Sequence, residues 1–403
     1  MLLDLTNNKT IFLSISLPFS KSISNRALIM NALSENTGKI ENLSDSDDTR
    51  VLSAAINSTN NVVDIGAAGT AMRFLTAYFS VTDGEKILTG SERMKQRPIG
   101  LLVNALRTLG ADIEYLEKDG FPPLKIRGKK LSGNEILLDG GVSSQYISAL
   151  MMIAPVLTDG LKIKLEGNII STPYIKMTAK MMEDFGVKVI FENKTINIAP
   201  QKYKSVDFRV EADWSAASYW YELLAIAGEG KIFLKGLYKN SLQGDSEVAR
   251  IFEYLGVTTK YVDGGVELLP NGNYVNHFEY DFIGQPDLAQ TLAVTCCMCG
   301  VSFLFKGVQS LKIKETNRIA ALIAELKKLG FVLYEPAEGE LAWNGEKQNS
   351  EEKISIKTYS DHRMAMAFAP ISLKIPLEIE NPEVVSKSYP KFWEDFFQLK
   401  VES

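Results

Sequence analysis

Histidine and cysteine are scarce: two and three of the 403 residues. The cysteines, Cys296, Cys297 and Cys299, crowd one apolar stretch with no histidine near them, which fits neither a metal-ligand pattern nor a disulfide framework and suits small core residues. A basic surplus is also missing. With 44 Lys and Arg against 49 Asp and Glu, the formal charge is −5, giving no electrostatic reason to expect a nucleic-acid partner. No apolar run is long enough for a membrane span, and one of the longest, 146–157, is broken by Pro155. The first residues lack the basic region and small-residue cleavage site of a secretory signal, so a cytoplasmic protein is expected. Any anionic ligand must be held by a local cluster of cations.

What is present is a repeated pattern. A chain of 403 residues with 45% hydrophobic content is too long for one ordinary domain, and two are expected. Six segments rich in small and apolar residues read as helices buried on nearly all faces: 25–33, 71–79, 146–154, 216–227, 288–298 and 364–373. They recur at intervals of roughly 45 to 75 residues. After most of them come a short strand, a polar turn and an amphipathic helix, expected at 97–109, 174–185, 245–255 and 314–329. Leu-Gly or Phe-Gly pairs at 109–110, 185–186, 255–256 and 329–330 suit left-handed helix caps. Six units split into two sets of three, with a seam expected near 210–215. Periodicity alone is equally compatible with an ordinary layered α/β protein.

The polar residues cluster in the turns before these helices. Lys21-Ser22-Ile23-Ser24-Asn25-Arg26 offers hydroxyls, helix-start amides and two cations to a phosphorylated or carboxylated ligand. Gly66-Ala67-Ala68-Gly69-Thr70 is a small-residue turn where backbone could approach a ligand closely, and Arg97-Pro98 suits the first turn of a helix. Ser143-Ser144-Gln145 and Ser171-Thr172 supply uncharged donors at helix starts. In Lys314-Glu315-Thr316-Asn317-Arg318, helical spacing puts the two cations on one face beside a carboxylate, an arrangement that could bind an anion and handle a proton. Asp287 and Asp361-His362-Arg363 precede further buried helices, and Lys387 completes the basic set. Each motif alone reads at least as well as a helix cap, a tight turn or a solvated charged helix, and for residues 21–26 and Arg97-Pro98 that plain reading is the better one. If the helix starts converge on one interdomain space, their dipoles and cations would attract anions there.

In order along the chain, Lys21-Ser22-Ile23-Ser24-Asn25-Arg26-Ala27, Ala68-Gly69-Thr70-Ala71-Met72-Arg73, Arg93-Met94-Lys95-Gln96-Arg97-Pro98, Val142-Ser143-Ser144-Gln145, Lys314-Glu315-Thr316-Asn317-Arg318 and Asp361-His362-Arg363-Met364-Ala365-Met366 resemble the motifs of the 5-enolpyruvylshikimate-3-phosphate synthase family. The resemblance implies an α/β fold of two domains, each of three β-α-β-α-β-β units in an inside-out barrel-like arrangement. It assigns residues 1–17 with 214–403 to one domain and 18–213 to the other. The active site would lie in a cleft between them that closes on shikimate 3-phosphate. It implies transfer of the enolpyruvyl group of phosphoenolpyruvate to the 5-hydroxyl of that substrate, on the route to chorismate and the aromatic amino acids, and inhibition by glyphosate at the phosphoenolpyruvate position. Shikimate 3-phosphate would be held by Lys21, Ser22, Arg26, Ser143, Ser144, Gln145, Ser171, Asp287, Ser310 and Lys314. Phosphoenolpyruvate would be held by Lys21, Gly69, Arg97, Gln145, Arg318, Arg363 and Lys387. The resemblance makes Lys21, Asp287, Glu315 and His362 catalytic, with no metal or organic cofactor and no partner beyond the two small substrates. A monomer is expected.

This sequence departs from the family pattern at Phe19, Ala67, Phe74 and Ser310, which replace the usual Gly, Asn, Pro and Asn. These changes bear on affinity and inhibitor response. Two other readings remain: a sister enolpyruvyl transferase acting on a UDP-sugar, which uses a mobile loop with a reactive cysteine, and a catalytically silent homologue.

Overall fold

The computed structural model describes residues 1–8, 10–141 and 143–400. The chain forms two compact units, one of Met1–Pro18 with Glu211–Ser403 and one of Phe19–Val210. It opens in the first unit with β1 (Leu2–Leu3) and β2 (Ile11–Ser16), then passes into the second.

The second unit runs α1 (Lys21–Ala32), β3 (Ile40–Glu41), α2 (Asp47–Ile56), β4 (Val62–Asp64), α3 (Gly69–Val81), β5 (Gly84–Thr89), α4 (Glu92–Lys95), α5 (Gly100–Thr108), β6 (Asp112–Tyr115) and β7 (Leu124–Gly128). It continues through β8 (Glu135–Asp139), α6 (Ser144–Ile153), β9 (Leu161–Glu166), α7 (Thr172–Asp184), β10 (Ile190–Glu192), β11 (Thr195–Ile198) and β12 (Phe208–Arg209). Its sheets have the orders β4-β5-β7-β6, β10-β11-β9-β8 and β12-β3. In each, one parallel pair (β4 with β5, β8 with β9, β3 with β12) is extended, where more strands exist, by antiparallel neighbours. Parallel neighbours need a crossover, and α3 and α6 supply it. Both helices are buried along most of their length because, Arg73 and Gln145 apart, their residues are nearly all apolar or small.

The first unit resumes with α8 (Trp214–Ala227), β13 (Gly230–Lys235), α9 (Val248–Ile251), β14 (Leu255–Val262), β15 (Gly265–Tyr274), β16 (His277–Asp281), α10 (Ala289–Cys299) and β17 (Ser302–Lys306). It ends with α11 (Arg318–Lys328), β18 (Leu341–Trp343), β19 (Ser355–Ile356), α12 (His362–Phe368), β20 (Leu377–Ile379) and α13 (Phe392–Phe396). Its three sheets, β14-β15-β13-β2, β16-β17-β18 and β1-β20-β19, again each contain a parallel pair: β2 with β13, β16 with β17, β19 with β20. The crossover helices α8, α10 and α12 form the centre of the core, and twelve of the fourteen residues of α8 are buried. Among the described residues no helix is long and apolar enough to cross a membrane.

The six buried helices thus fall where the composition predicts them. Three of the second helices do not match expectation. The helix expected from 245 is a short α9 flanked by 3-10 turns, and Leu255 already opens β14, so Gly256 (φ +91°) sits at a register shift in a strand instead of capping a helix. The helix expected from 314 begins at Arg318, because the Asn317 side chain accepts the Ala320 amide and caps it there, leaving Lys314 extended. Pro98 lies ahead of α5, which starts at Gly100. Gly110, Gly186 and Gly330 do take the left-handed conformation after their helices.

Candidate active site

In the second unit the polar residues gather at the starts of α1, α3, α6 and α7. Arg26, on α1, is 2% exposed and ties these helices together. Its Nε donates to Thr178 Oγ1 on α7 at 2.7 Å, Nη2 to Ser148 Oγ on α6 at 3.1 Å and Nη1 to the Ser22 carbonyl at 2.9 Å. The ring of Phe74, on α3, lies 5.4 Å from the guanidinium carbon. Among the described residues no carboxylate pairs with Arg26, and burial lowers its pKa to about 10. A buried cation held by neutral groups favours an arriving anion.

Around it, Lys21 at the first position of α1 pairs with the buried Asp48 of α2 at 3.2 Å. Ser143 caps α6 by accepting the Gln145 amide, while the Gln145 side chain donates to Thr70 Oγ1 at the start of α3. Ser144 is buried at the first position of α6, and Ser171, just before α7, holds φ +54°, a left-handed value costly for a residue with a side chain. The Arg97 guanidinium lies directly over Gly69, so close that a Cβ on Gly69 would sit 2.6 Å from Nη1.

In the first unit four cations and three carboxylates interlock. Asp287, in the 3-10 turn before α10, faces Arg363 Nη2 at 3.0 Å, Arg318 Nη1 at 3.1 Å and Lys314 Nζ at 3.6 Å. Glu315 takes Arg318 Nη2 and Lys387 Nζ, each at 2.9 Å. Asp361, fully buried, accepts Arg318 Nε at 2.6 Å and the Arg363 amide at 2.9 Å, capping α12. Arg363 Nη1 also donates to the Asp287 carbonyl and to the Tyr219 hydroxyl of α8. His362 is buried beside Asp361, its Nδ1 3.7 Å from Oδ1.

Burial weakens the charged form of Arg318, but Asp361, Glu315 and Asp287 outweigh it and raise its pKa. Lys314 ends lower than usual: burial is the largest influence, and although Asp287 and Glu315 outweigh the repulsion from Arg318 and Arg363, they do not make up for the burial. The shared helix face read for Lys314 and Arg318 does not exist. The two cations meet at Asp287 from a loop and a helix start instead. Ser310 lies in the 3-10 turn Gln309–Ile313, and among the described residues no hydrogen bond or ion pair joins it to this cluster.

Of the contributors to these clusters, Asp48, Tyr219, Ser148 and Thr178 escape a reading of the sequence. A Ser among the apolar residues of α6 could have marked Ser148, and a Thr on the otherwise apolar buried face of the amphipathic α7 could have marked Thr178. Among the described residues no group of three or more His, Cys, Asp or Glu side chains could hold a metal ion.

The family model described as EPSP synthase (3-phosphoshikimate 1-carboxyvinyltransferase) matches residues 51–396. A curated 3-phosphoshikimate 1-carboxyvinyltransferase of Bacteroides fragilis (strain YCH46) is 54% identical over 394 residues, covering 96% of both chains. The chain belongs to the EPSP synthase family. A second relative with the same name, from Aliivibrio fischeri (strain MJ11), is 38% identical, again over 96% of both chains. Among solved structures, an EPSP synthase from Acinetobacter baumannii superposes with a TM-score of 0.79 at 21% identity, covering 99% of this chain and 98% of that one, and so shares its fold. Family membership does not favour the UDP-sugar reading, and the cysteines agree. Cys296 and Cys297 are buried in α10 with thiol pKa values raised by burial, and the Cys299 thiol is pushed up to about 12 for the same reason.

Proposed function

We propose that this member of the EPSP synthase family transfers the enolpyruvyl group of phosphoenolpyruvate to the 5-hydroxyl of shikimate 3-phosphate, releasing phosphate, in aromatic amino acid biosynthesis. The observation that carries this is the family match across nearly the whole chain. The clustered cations support it, because both substrates are anions. In this reading the uncharged donors Ser143, Ser144, Gln145 and Ser171 serve shikimate 3-phosphate together with Lys21, Ser22, Arg26 and Lys314. Arg97, Arg318, Arg363 and Lys387 grip phosphoenolpyruvate beside Gly69. Ser310 also belongs to the shikimate 3-phosphate side.

The addition needs two proton movements and the elimination a third. The 5-hydroxyl oxygen bonds to C2 of phosphoenolpyruvate as Asp287 accepts its proton, and C3 gains a proton from Glu315. The tetrahedral intermediate then loses a C3 proton and breaks the C2–oxygen bond to phosphate, with Lys21 and His362 assisting as phosphate departs. Both carboxylates are engaged by cations before substrate arrives. Anionic substrates compete for those cations and free the carboxylates for proton exchange. Phosphoenolpyruvate carries an already activated enol, so this reading calls for no metal or organic cofactor, and it is that of a cytoplasmic monomer. Phosphate release from phosphoenolpyruvate should require shikimate 3-phosphate as acceptor. Release with a UDP-aminosugar and none with shikimate 3-phosphate would overturn the proposal.

A further inference from the structure

Two turns beyond Arg318, α11 carries a carboxylate with no part in the contacts described above. Glu325 is 1% exposed. Its Oε1 accepts the Tyr359 hydroxyl at 2.6 Å, and Oε2 accepts the Lys357 amide at 3.0 Å and Lys328 Nζ at 2.6 Å. Lys328 in turn donates to the Ser355 carbonyl at 2.7 Å. The partners outside α11 all lie on residues 355–359, the segment that leads into Asp361-His362-Arg363.

That segment is bent into an unfavourable shape. Tyr359 and Ser360 have φ +53° and +56°, consecutive left-handed residues that both carry side chains. Such a pair persists only when its surroundings over-determine it. Here α11 holds the segment at two points about 10 Å apart along the helix, given its rise per residue. Arg318 clamps Asp361 after the bend, and Glu325 clamps Lys357 and Tyr359 before it. Within the bend, the Asp361 amide donates to the Thr358 carbonyl at 2.9 Å. A buried carboxylate is costly compared with an apolar residue of similar size. Among the described residues, every hydrogen bond of Glu325 outside its own helix goes to the strained approach to α12.

We propose that Glu325 and Tyr359 are positioning residues for the transferase reaction, locking the left-handed turn so that His362 and Arg363 are presented in one fixed register. The inference rests on the reading of Arg363 as a phosphoenolpyruvate contact. Without the lock the turn relaxes toward ordinary backbone angles, and Arg363 loses its fixed relation to Asp287.

The test uses the full chain with Tyr359→Phe, which removes a single hydroxyl from a residue 38% exposed, and Glu325→Gln, with Arg363→Lys as reference. Steady-state kinetics, binary shikimate 3-phosphate affinity and melting temperature are measured for each. One lost hydrogen bond to a charged group corresponds to about a tenfold rise in the Michaelis constant for phosphoenolpyruvate in Tyr359→Phe. Glu325→Gln should rise at least as far, while shikimate 3-phosphate affinity stays within about twofold in both. A lower melting temperature with unchanged Michaelis constants, beside a raised constant in Arg363→Lys, would make the pair a fold staple and overturn the inference. An unchanged constant in Arg363→Lys would instead sink the reading of Arg363 on which it stands. If Glu325→Gln does not fold, Tyr359→Phe decides alone.

Discussion

Gly69 has no room for a side chain. A Cβ there would lie 2.6 Å and 3.0 Å from the two terminal nitrogens of Arg97, so the guanidinium would have to swing away. Gly69→Ala should therefore act through Arg97, raising the Michaelis constant for phosphoenolpyruvate by about tenfold while leaving shikimate 3-phosphate affinity unchanged. Equal changes for both substrates, read by steady-state kinetics, would show that the methyl disturbs more than Arg97. Glu315→Gln keeps the shape but cannot exchange a proton, and it weakens the grip on Arg318 and Lys387. Turnover should fall by about 10²- to 10⁴-fold with a smaller rise in the phosphoenolpyruvate constant, and near-normal turnover would remove its proton role. Glu222 differs from both. It is fully buried in α8, neither carboxylate oxygen has a hydrogen-bond partner among the described residues, and burial raises its pKa well above 4.5. Above the unfolded-state pKa the unfolded chain releases this proton while the folded chain keeps it, so stability falls by about 1.4 kcal/mol per pH unit until the folded pKa is reached. Glu222→Met should remove that slope. Denaturant unfolding at pH 5 and pH 8 should show the variant's advantage growing with pH, and a constant difference would mean Glu222 is ionised in the folded protein.

At the scale of elements, Arg26 is the tie between α1, α3, α6 and α7. Arg26→Lys keeps the charge but cannot reach Thr178, Ser148 and the Ser22 carbonyl together. Saturating shikimate 3-phosphate should raise the melting temperature of the native protein by mass action, and clearly less in the variant. An equal shift in both would free Arg26 from the binding role. The crossover helices themselves were legible in the sequence because small and apolar residues dominate nearly all their faces, so they need no partner to be recognised. The Lys314–Arg318 spacing misled because four residues fit one helix face, yet Asn317 caps the helix between them and the apolar run from Ile319 follows that cap. Near 255, Gly256 and the β-branched Val257, Thr258 and Thr259 draw the chain into β14 and leave room only for broken turns. Pairings such as Arg318 with Asp361, 43 residues apart, or Arg363 with Tyr219, 144 residues apart, leave no local pattern to read.

For the whole molecule, three parallel-paired sheets around buried helices recur in each unit, and the polar residues occupy the turns that precede those helices. Strained backbone accompanies them: Ser171 before α7, Tyr359 and Ser360 before α12, and Asn381 before the turn that carries Lys387 all have positive φ. A fold that repeats one unit thus supplies many helix starts, while specificity comes from which side chains stand there. In the proposed reaction an addition is followed by an elimination, and C3 of the enolpyruvyl group becomes a methyl group before phosphate leaves. The most direct measurement runs the reaction with phosphoenolpyruvate and shikimate 3-phosphate in deuterated water and weighs the product by mass spectrometry. Deuterium at C3 of the enolpyruvyl ether, formed one for one with phosphate, is the predicted result. An ether formed without deuterium, or phosphate released without any ether, would contradict it.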